Sequence, residues 1–193
     1  MCQALQGNGG VTSVDLSANK ITEASDLAEL LRLNTTLTSL LLQGNTKLFA
    51  TIDATAGGKG QAKVFAKGLE ENSTLVTLDL SVTGIMAESP PTIVYALEAN
   101  TSITSLNLSR NPLAAGGASA EAVAALESLA EVLQRNSTLT SIDLTHTLLE
   151  KHQHVLSGFA SRLVVPFEFL DAAPTDDSDT DGDVDPFGAF DDD

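Results

Sequence analysis

One frame recurs five times along this chain of 193 residues, and it limits the possible folds more than any other feature. The copies align without gaps at 5–20, 31–46, 69–84, 97–112 and 133–148. They share the frame L-x-x-N-x-[ST]-L-T-S-L-D-L-S-x-N, with apolar residues at the seventh, tenth and twelfth places. The fourth-place residues are 26, 38, 28 and 36 residues apart along the chain: Asn8, Asn34, Asn72, Asn100 and Asn136. Self-similarity at such a period is typical of repeat proteins, so we expect an array of stacked units.

Each repeat contains a strand pattern in the middle of the frame. Leu78 and Leu80 alternate with polar residues at the period of a strand, and Leu75 enters the core just before it. The fifteenth place ends the frame with an asparagine that can bond the turn in three repeats: Asn19, Asn45 and Asn111. The other two repeats carry Thr83 and Thr147 there, which predicts a local irregularity.

Helical patterns fill the segments between the strands. We expect helices over 21–32, 92–99, 122–134 and 150–163, and apolar residues recur at helical spacing in the first and third of these. Thr22 is a candidate N-cap for the first, and Pro90-Pro91 suit the start of the second. Gly57-Gly58-Lys59-Gly60 indicates a flexible insertion.

Strand, turn and helix repeated five times predict an α/β solenoid, or horseshoe, of about five repeats. Parallel strands form its concave face and helices its convex face, because one unit cannot bury its apolar face alone. No cap is evident before the first frame, so we expect Leu16 to face solvent unless a partner or further chain covers it. At the other end, 164–170 is a candidate cap. We therefore expect a repeat domain over 1–170 and an acidic tail over 171–193.

Charge separates these two regions. The formal net charge is −16, and residues 171–193 contain ten aspartates and no other charged residue. Such a tail is expected to be disordered, because it has little apolar surface to bury. A protein this acidic repels nucleic acid and anionic membranes, so neither is expected as a partner. A single cysteine, Cys2, and the lack of a signal-peptide pattern predict a cytoplasmic location.

The phrase L-x-x-N-x-[ST]-L-T-x-L-D-L-S-x-N resembles the ribonuclease-inhibitor-like class of leucine-rich repeats, over about residues 5–163. Within that class, the chain is similar to the C-terminal half of tropomodulin in its short array and terminal helix. It is similar to the Ran GTPase-activating protein in its acidic tail. The resemblance implies a solenoid that binds a protein. No functional residue is transferred, since neither similarity extends to a functional motif.

The candidate binding residues lie on the concave face, where the residues flanking each buried strand leucine should point. One column is Ser13, Ser39, Thr77, Ser105 and Ser141, and the next is Asp15, Leu41, Asp79, Asn107 and Asp143. Small residues in the first column fit the class consensus. Carboxylates in the second favour a basic patch on the partner. Arg110 and His146, just after strands four and five, are candidate anchors.

The tail carries two further motifs. Asp177, Asp179, Asp181 and Asp185, with Gly182 among them, resemble the start of a calcium-binding loop, but Gly188 replaces its bidentate glutamate. Phe187 and Phe190 lie in acidic surroundings, as in short motifs that bind adaptor domains, and they could instead fold back onto the solenoid. Weak calcium binding and a plain acidic tail therefore both remain open, and we expect no other metal.

No nucleophile–base set or phosphate loop is evident, so we expect no catalytic activity and no cofactor. The sequence thus predicts an adaptor or scaffold that binds a protein partner. The alternatives are a regulator of a small GTPase, of the GTPase-activating type, and a tropomodulin-like actin-associated protein. The oligomeric state stays open.

Overall fold

The computed structural model describes residues 2–50, 60–85, 90–113, 119–147 and 150–164. Short strands alternate with helices along these ranges. The strands are β1 (Ser13–Asp15), β2 (Ser39–Leu41), β3 (Thr77–Asp79), β4 (Ser105–Asn107), β5 (Ser141–Asp143) and β6 (Leu163–Val164). The helices are α1 (Cys2–Gln6), α2 (Ser25–Leu33), α3 (Gly60–Glu71), α4 (Pro90–Ala99), α5 (Ser119–Arg135) and a 3₁₀ helix (Glu150–Arg162).

The strands form one parallel sheet in the order β1-β2-β3-β4-β5-β6, so each strand pairs with its neighbours in the sequence. Each helix likewise packs against the next helix along the chain. Consecutive neighbours in both layers define an open solenoid with strands on one side and helices on the other. The α/β solenoid expected from the repeats is confirmed, and β6 extends the sheet beyond the five repeats.

Leucines of the frame build the core. The seventh, tenth and twelfth places are buried from the second repeat onward, and helix residues such as Leu30, Leu97 and Leu133 close the core from the other side. The helices approach closely where Gly68 of α3 meets Ala28 of α2. A Cβ atom on Gly68 would lie 2.7 Å from the Ala28 carbonyl oxygen, so this contact requires glycine.

Asparagines at the fourth place connect each repeat to the one before it. Asn100 is buried, and its Nδ2 donates to the carbonyls of Leu69 and Asn72, both at 2.8 Å. Its Oδ1 accepts the backbone N–H groups of Ser102 at 3.0 Å and Ile103 at 2.9 Å. Equivalent bonds to the preceding repeat are made by Asn34, Asn72 and Asn136. One side chain therefore satisfies buried backbone groups of two repeats, which otherwise would be costly to bury.

The fifteenth place divides the repeats into two kinds. Asn111 donates to the carbonyls of Leu80 in the preceding repeat and Leu108 in its own, and its Oδ1 accepts three N–H groups from 83–85. Thr83 has a shorter side chain, and its hydroxyl donates within its own repeat to Leu80. The backbone carbonyl of Thr83 instead accepts the N–H of Phe49 at 3.1 Å. Threonine thus occurs in the repeat that follows the long spacing of 38 residues.

Several expectations about individual elements are wrong. Leu16 is only 4% exposed, because α1 packs against α2 and contributes Cys2 and Leu5 to the first repeat's core. Thr22 does not cap α2, which begins at Ser25 after Ala24 and has no side-chain cap. The N–H of Ala24 instead donates to Oε1 of Gln61 at 2.6 Å.

The boundaries of other elements also differ from the sequence-based prediction. Gly60, expected in a flexible insertion, is the first residue of α3, which the sequence patterns did not reveal; residues 57–59 lie outside the described ranges. The last helix is 3₁₀ rather than α, and it is interrupted by non-helical backbone at Phe159. Of the candidate cap 164–170, only Val164 is described, and it pairs with Asp143.

Arg162 ends the asparagine series. Its Nη1 donates to the carbonyls of Leu133 at 2.8 Å and Asn136 at 2.9 Å. These carbonyls occupy the same frame places as Leu97 and Asn100, which receive the Asn136 amide. The guanidinium also lies over the Phe159 ring, 5.9 Å from its centroid. Arg162 thus bonds the last repeat as the asparagine of a following repeat would.

Replacing Arg162 by alanine should therefore open the C-terminal end of the solenoid. We expect the R162A variant to lose about 2 kcal/mol in free energy of unfolding, because two carbonyls lose a charged donor. Urea denaturation measures this loss, and hydrogen exchange should accelerate at Ile142 and Leu144. Arg135 is the matched control, because its ion pair with Glu98 is exposed to solvent and adds little stability. An R135A variant as destabilised as R162A would contradict the capping role.

Candidate protein-binding surface

The sheet register places the two predicted columns side by side. Ser13, Ser39, Thr77, Ser105 and Ser141 are successive partners across the five strands. So are Asp15, Leu41, Asp79, Asn107 and Asp143. Every one of these side chains is exposed or partly exposed, while the residue between them is buried. The predicted geometry of the columns is therefore confirmed, whereas their binding role stays a proposal.

The column of Asp15, Asp79 and Asp143 also has a structural role. Each of these carboxylates accepts the backbone N–H two residues later, at 2.8 to 2.9 Å, and so fixes the turn that follows the strand. Asn107 does the same through its Oδ1 at 2.9 Å, and its Nδ2 donates to Asp79 Oδ2 at 3.1 Å. An amide oxygen can therefore serve at this place as well as a carboxylate, and the second repeat forms its turn with Leu41 there.

Hydrogen bonding changes the acidity of the first carboxylate. The hydroxyl and the backbone N–H of Ser17 stabilise the ionised form and lower the pKa of Asp15 below its ordinary value. Leu41 in the second repeat and Asn107 in the fourth interrupt the carboxylates, so acidic and uncharged residues alternate along the column.

The turns after the strands have one backbone conformation in common, which sequence reasoning missed. The fourteenth place of every repeat has positive φ: Ala18 at 57°, Gly44 at 77°, Val82 at 55°, Arg110 at 55° and His146 at 56°. Glycine is the residue that adopts this conformation without strain, and it occurs here only once, which hid the signal. Arg110 and His146, the predicted anchors, are exposed residues of this row and lie on adjacent repeats.

Other predicted sites cannot be placed. Phe187, Phe190, Asp177, Asp179, Asp181 and Asp185 lie outside the described residues. Within the described ranges, no three His, Cys, Asp or Glu side chains come together as metal ligands would. None of the helices described is both long enough and apolar enough to cross a membrane.

Repeats of strand and helix, stacked through buried asparagines, define a leucine-rich-repeat solenoid. The comparisons agree: a family model described as "Leucine Rich repeat" matches residues 99–120, from the end of α4 through β4 to the start of α5. The chain therefore has the leucine-rich-repeat fold. Among curated protein sequences, none matches it.

Two solved structures share the fold. One is Leiomodin-1 Actin-Binding Site 2, with a TM-score of 0.64 and 22% identity over 83% of this chain and 86% of that one. The other is the leucine-rich repeat-containing protein LegL7 from Legionella pneumophila, with a TM-score of 0.56 and 22% identity. That match covers 84% of this chain but 49% of LegL7, so the chain spans about half of that protein. At such identities the likeness concerns the fold.

The pKa of Asp15 tests the turn geometry. Replacing Ser17 by alanine removes the hydroxyl donor, so the pKa of Asp15 should rise toward the ordinary value of about 3.9. NMR titration of the Asp15 carboxyl carbon measures it. Because folding lowers this pKa, the stability from Asp15 is present above the ordinary value and is lost as pH falls through the lowered one. Ser13→Ala is the control, and equal pKa values in the two variants would exclude the bond.

Proposed function

We propose that this chain is a non-catalytic protein-binding module, an adaptor or scaffold, whose concave face holds a protein partner with a basic patch. One observation carries the proposal: five strands present two columns of accessible side chains in register, with no described element over them. Parallel strands lie about 4.8 Å apart, so each column forms a regular row of contacts.

Charge on this face favours a basic partner over an acidic one. Asp15, Asp79 and Asp143 all lie in one column, and each uses an oxygen to bond its own turn. A cation that approaches this column therefore meets carboxylates already held in place, which reduces the ordering cost of binding. Leu41 offers an apolar contact beside them. The acidic composition and single cysteine support a cytoplasmic location, and nucleic acid and membranes are not proposed as partners.

Actin is the second candidate partner, and one observation favours it. The chain shares its fold with a structure named as the second actin-binding site of Leiomodin-1, and the match covers 86% of that structure. Purified actin is therefore the first single protein to test, beside the unbiased capture described next.

Neutralising the three aspartates should remove partner binding while keeping the fold. Asparagine retains the oxygen that bonds the turn, as Asn107 shows, so the triple variant Asp15→Asn, Asp79→Asn, Asp143→Asn changes charge alone. The control triple, Glu70→Gln, Glu127→Gln, Glu131→Gln, makes the same charge change on α3 and α5. We expect affinity capture from lysate, quantified by mass spectrometry, to find proteins that bind the wild type and the control at least tenfold more than the aspartate variant.

The outcome that would contradict this proposal is equal recovery of the same proteins by all three forms, since binding would then not involve the column. Purified actin passed over the same three forms answers the narrower question. Retention with the same dependence on the aspartates supports actin as the partner, and no retention excludes it.

A further inference from the structure

The two edges of the sheet differ sharply in charge. At the strand-start edge the chain enters the first five strands through 7–12, 34–38, 72–76, 100–104 and 136–140, and these segments contain no charged residue. Arg162, just before β6, is the charged group that bonds this edge. At the strand-end edge it leaves through 16–24, 42–50, 80–85, 108–113 and 144–147. The described part of this second edge carries Lys20, Lys47, Arg110 and His146 in its turns, together with Glu23. The carboxylates of Asp15, Asp79 and Asp143, the last residues of β1, β3 and β5, also bond its turns, on the side of the concave face.

Among the bases of this edge, Lys20 and Lys47 lie in the turns of neighbouring repeats. All four of its basic side chains are exposed. In the described ranges the salt bridges join Arg32 to Glu29 and Arg135 to Glu98, both on the helical side. None joins a base of the strand-end edge, and Glu23 accepts a hydrogen bond from Gln61 Nε2 at 3.1 Å. Lys20, Lys47, Arg110 and His146 therefore form no ion pair with a described residue.

Two of the lysines line a preformed cleft. A space of about 400 Å³ lies between the first two repeats, bounded by Lys20, Thr22, Gly44, Thr46 and Lys47. Asn45 Oδ1 accepts the N–H groups of Asn19 at 3.1 Å and Ile21 at 2.9 Å and so fixes the backbone on either side of Lys20.

A backbone hydrogen bond fixes the chain at Lys47. The N–H of Leu48 donates to the Asn45 carbonyl at 2.9 Å, just after Lys47. Two ammonium groups and two hydroxyls on a fixed backbone match the carboxylates of an acidic segment.

We propose that the strand-end edge binds a carboxylate-rich segment, and that its occupant is the aspartate-rich C-terminal segment 171–193 of this same chain. Charge complementarity supports this, since that segment contains ten aspartates and no base. The topology supports it as well. β6 is parallel to all other strands, so the chain leaves Val164 at the strand-end edge itself.

Length permits the contact. Six strands at about 4.8 Å spacing put Lys20 roughly 24 Å from β6 along the sheet. The twelve residues from 165 to 176 extend up to about 40 Å, so Asp177 and its neighbours can reach the cleft. His146 lies one strand from β6 and Arg110 lies two strands from it, so both would be met first. Tethering also gives the segment a high effective concentration at this edge.

A spin label on the segment tests the contact in the full chain. Cys2→Ser removes the one native cysteine, and Ser178→Cys gives a site for a nitroxide. We expect the label to broaden backbone amide signals of 18–22, 44–49, Arg110 and His146. Signals of 34–38 and 72–76 at the opposite edge should stay sharp. Raising the salt from about 0.05 to 0.5 M should remove most of the broadening, because the contact is electrostatic.

Matched charge reversals assign the site. Lys20→Glu with Lys47→Glu should abolish broadening at 18–22 and 44–49. Lys63→Glu with Lys67→Glu, the same charge change on α3, should leave it intact. The amide spectrum of each variant reports whether it is folded. Broadening that is absent, equal at both edges, or equally reduced by both pairs would overturn the proposal.

Two further experiments distinguish the chain's own tail from the tail of a second copy and from an acidic segment of another protein. In the first, spin-labelled chains without isotopes are mixed with isotope-labelled chains without a spin label, so that broadening can come only from the tail of a second copy. Broadening of the strand-end signals that is as strong in this mixture as in the singly labelled chain would overturn the internal contact. Poly-aspartate added to the wild type tests an external acidic segment. If it shifts the strand-end signals while the chain's own label broadens none, the edge binds other proteins and the internal occupant is wrong.

Discussion

The buried amide of the fourth-place asparagine connects each repeat to the one before it, and the rest of the architecture depends on this connection. A repeat of this kind has too little apolar surface to fold alone, so its stability comes from stacking on its neighbours. Stacking, however, buries the backbone groups where each helix ends and the next strand begins. An asparagine has two donors and an acceptor in one short side chain, and Asn100 uses them to satisfy groups of two repeats at once.

The same logic explains why the array can vary elsewhere. At the fifteenth place, Asn45 and Asn111 occur in repeats that follow a short spacing, and their side chains bond the turn of the preceding repeat. Thr83 occurs after a long spacing, and there its backbone carbonyl, rather than its side chain, bonds the preceding repeat. The spacing between repeats varies from 26 to 38 residues while the fourth-place series continues unchanged. Variation in length is therefore compatible with a constant set of contacts at the strand-start edge, where Arg162 ends the series. Exposed residues on the strand-end edge and the concave face can therefore be substituted without disturbing the core.

The sequence predicted the features that a periodic pattern records. Five aligned frames gave the strands, their register and the two exposed columns, because burial alternates along each strand and repeats with each unit. Features without a repeated signal were missed. Arg162 occurs once, and its guanidinium donates to the two carbonyls that an asparagine amide bonds in the other repeats, so alignment of the repeats does not reveal it. Helix α3 follows a glycine-rich stretch that indicated a loop, and the burial of Leu16 depends on a five-residue helix outside the frame. The aspartates showed their charge in the sequence, but their bonds to the turns required the structure.

The most direct test of this account is the effect of Asn100→Ala on the free energy of unfolding, measured by urea denaturation against Asn19→Ala. Asn100 is 1% exposed and bonds two repeats, while Asn19 is exposed and its side chain bonds the carbonyl of Ser17 within its own turn. The account predicts a loss on the order of 3–5 kcal/mol for N100A, because buried donors and acceptors of two repeats lose their partner. It predicts about 0.5 kcal/mol for N19A, as for other exposed positions. Equal losses in the two variants would contradict the claim that the buried amide holds the repeats together.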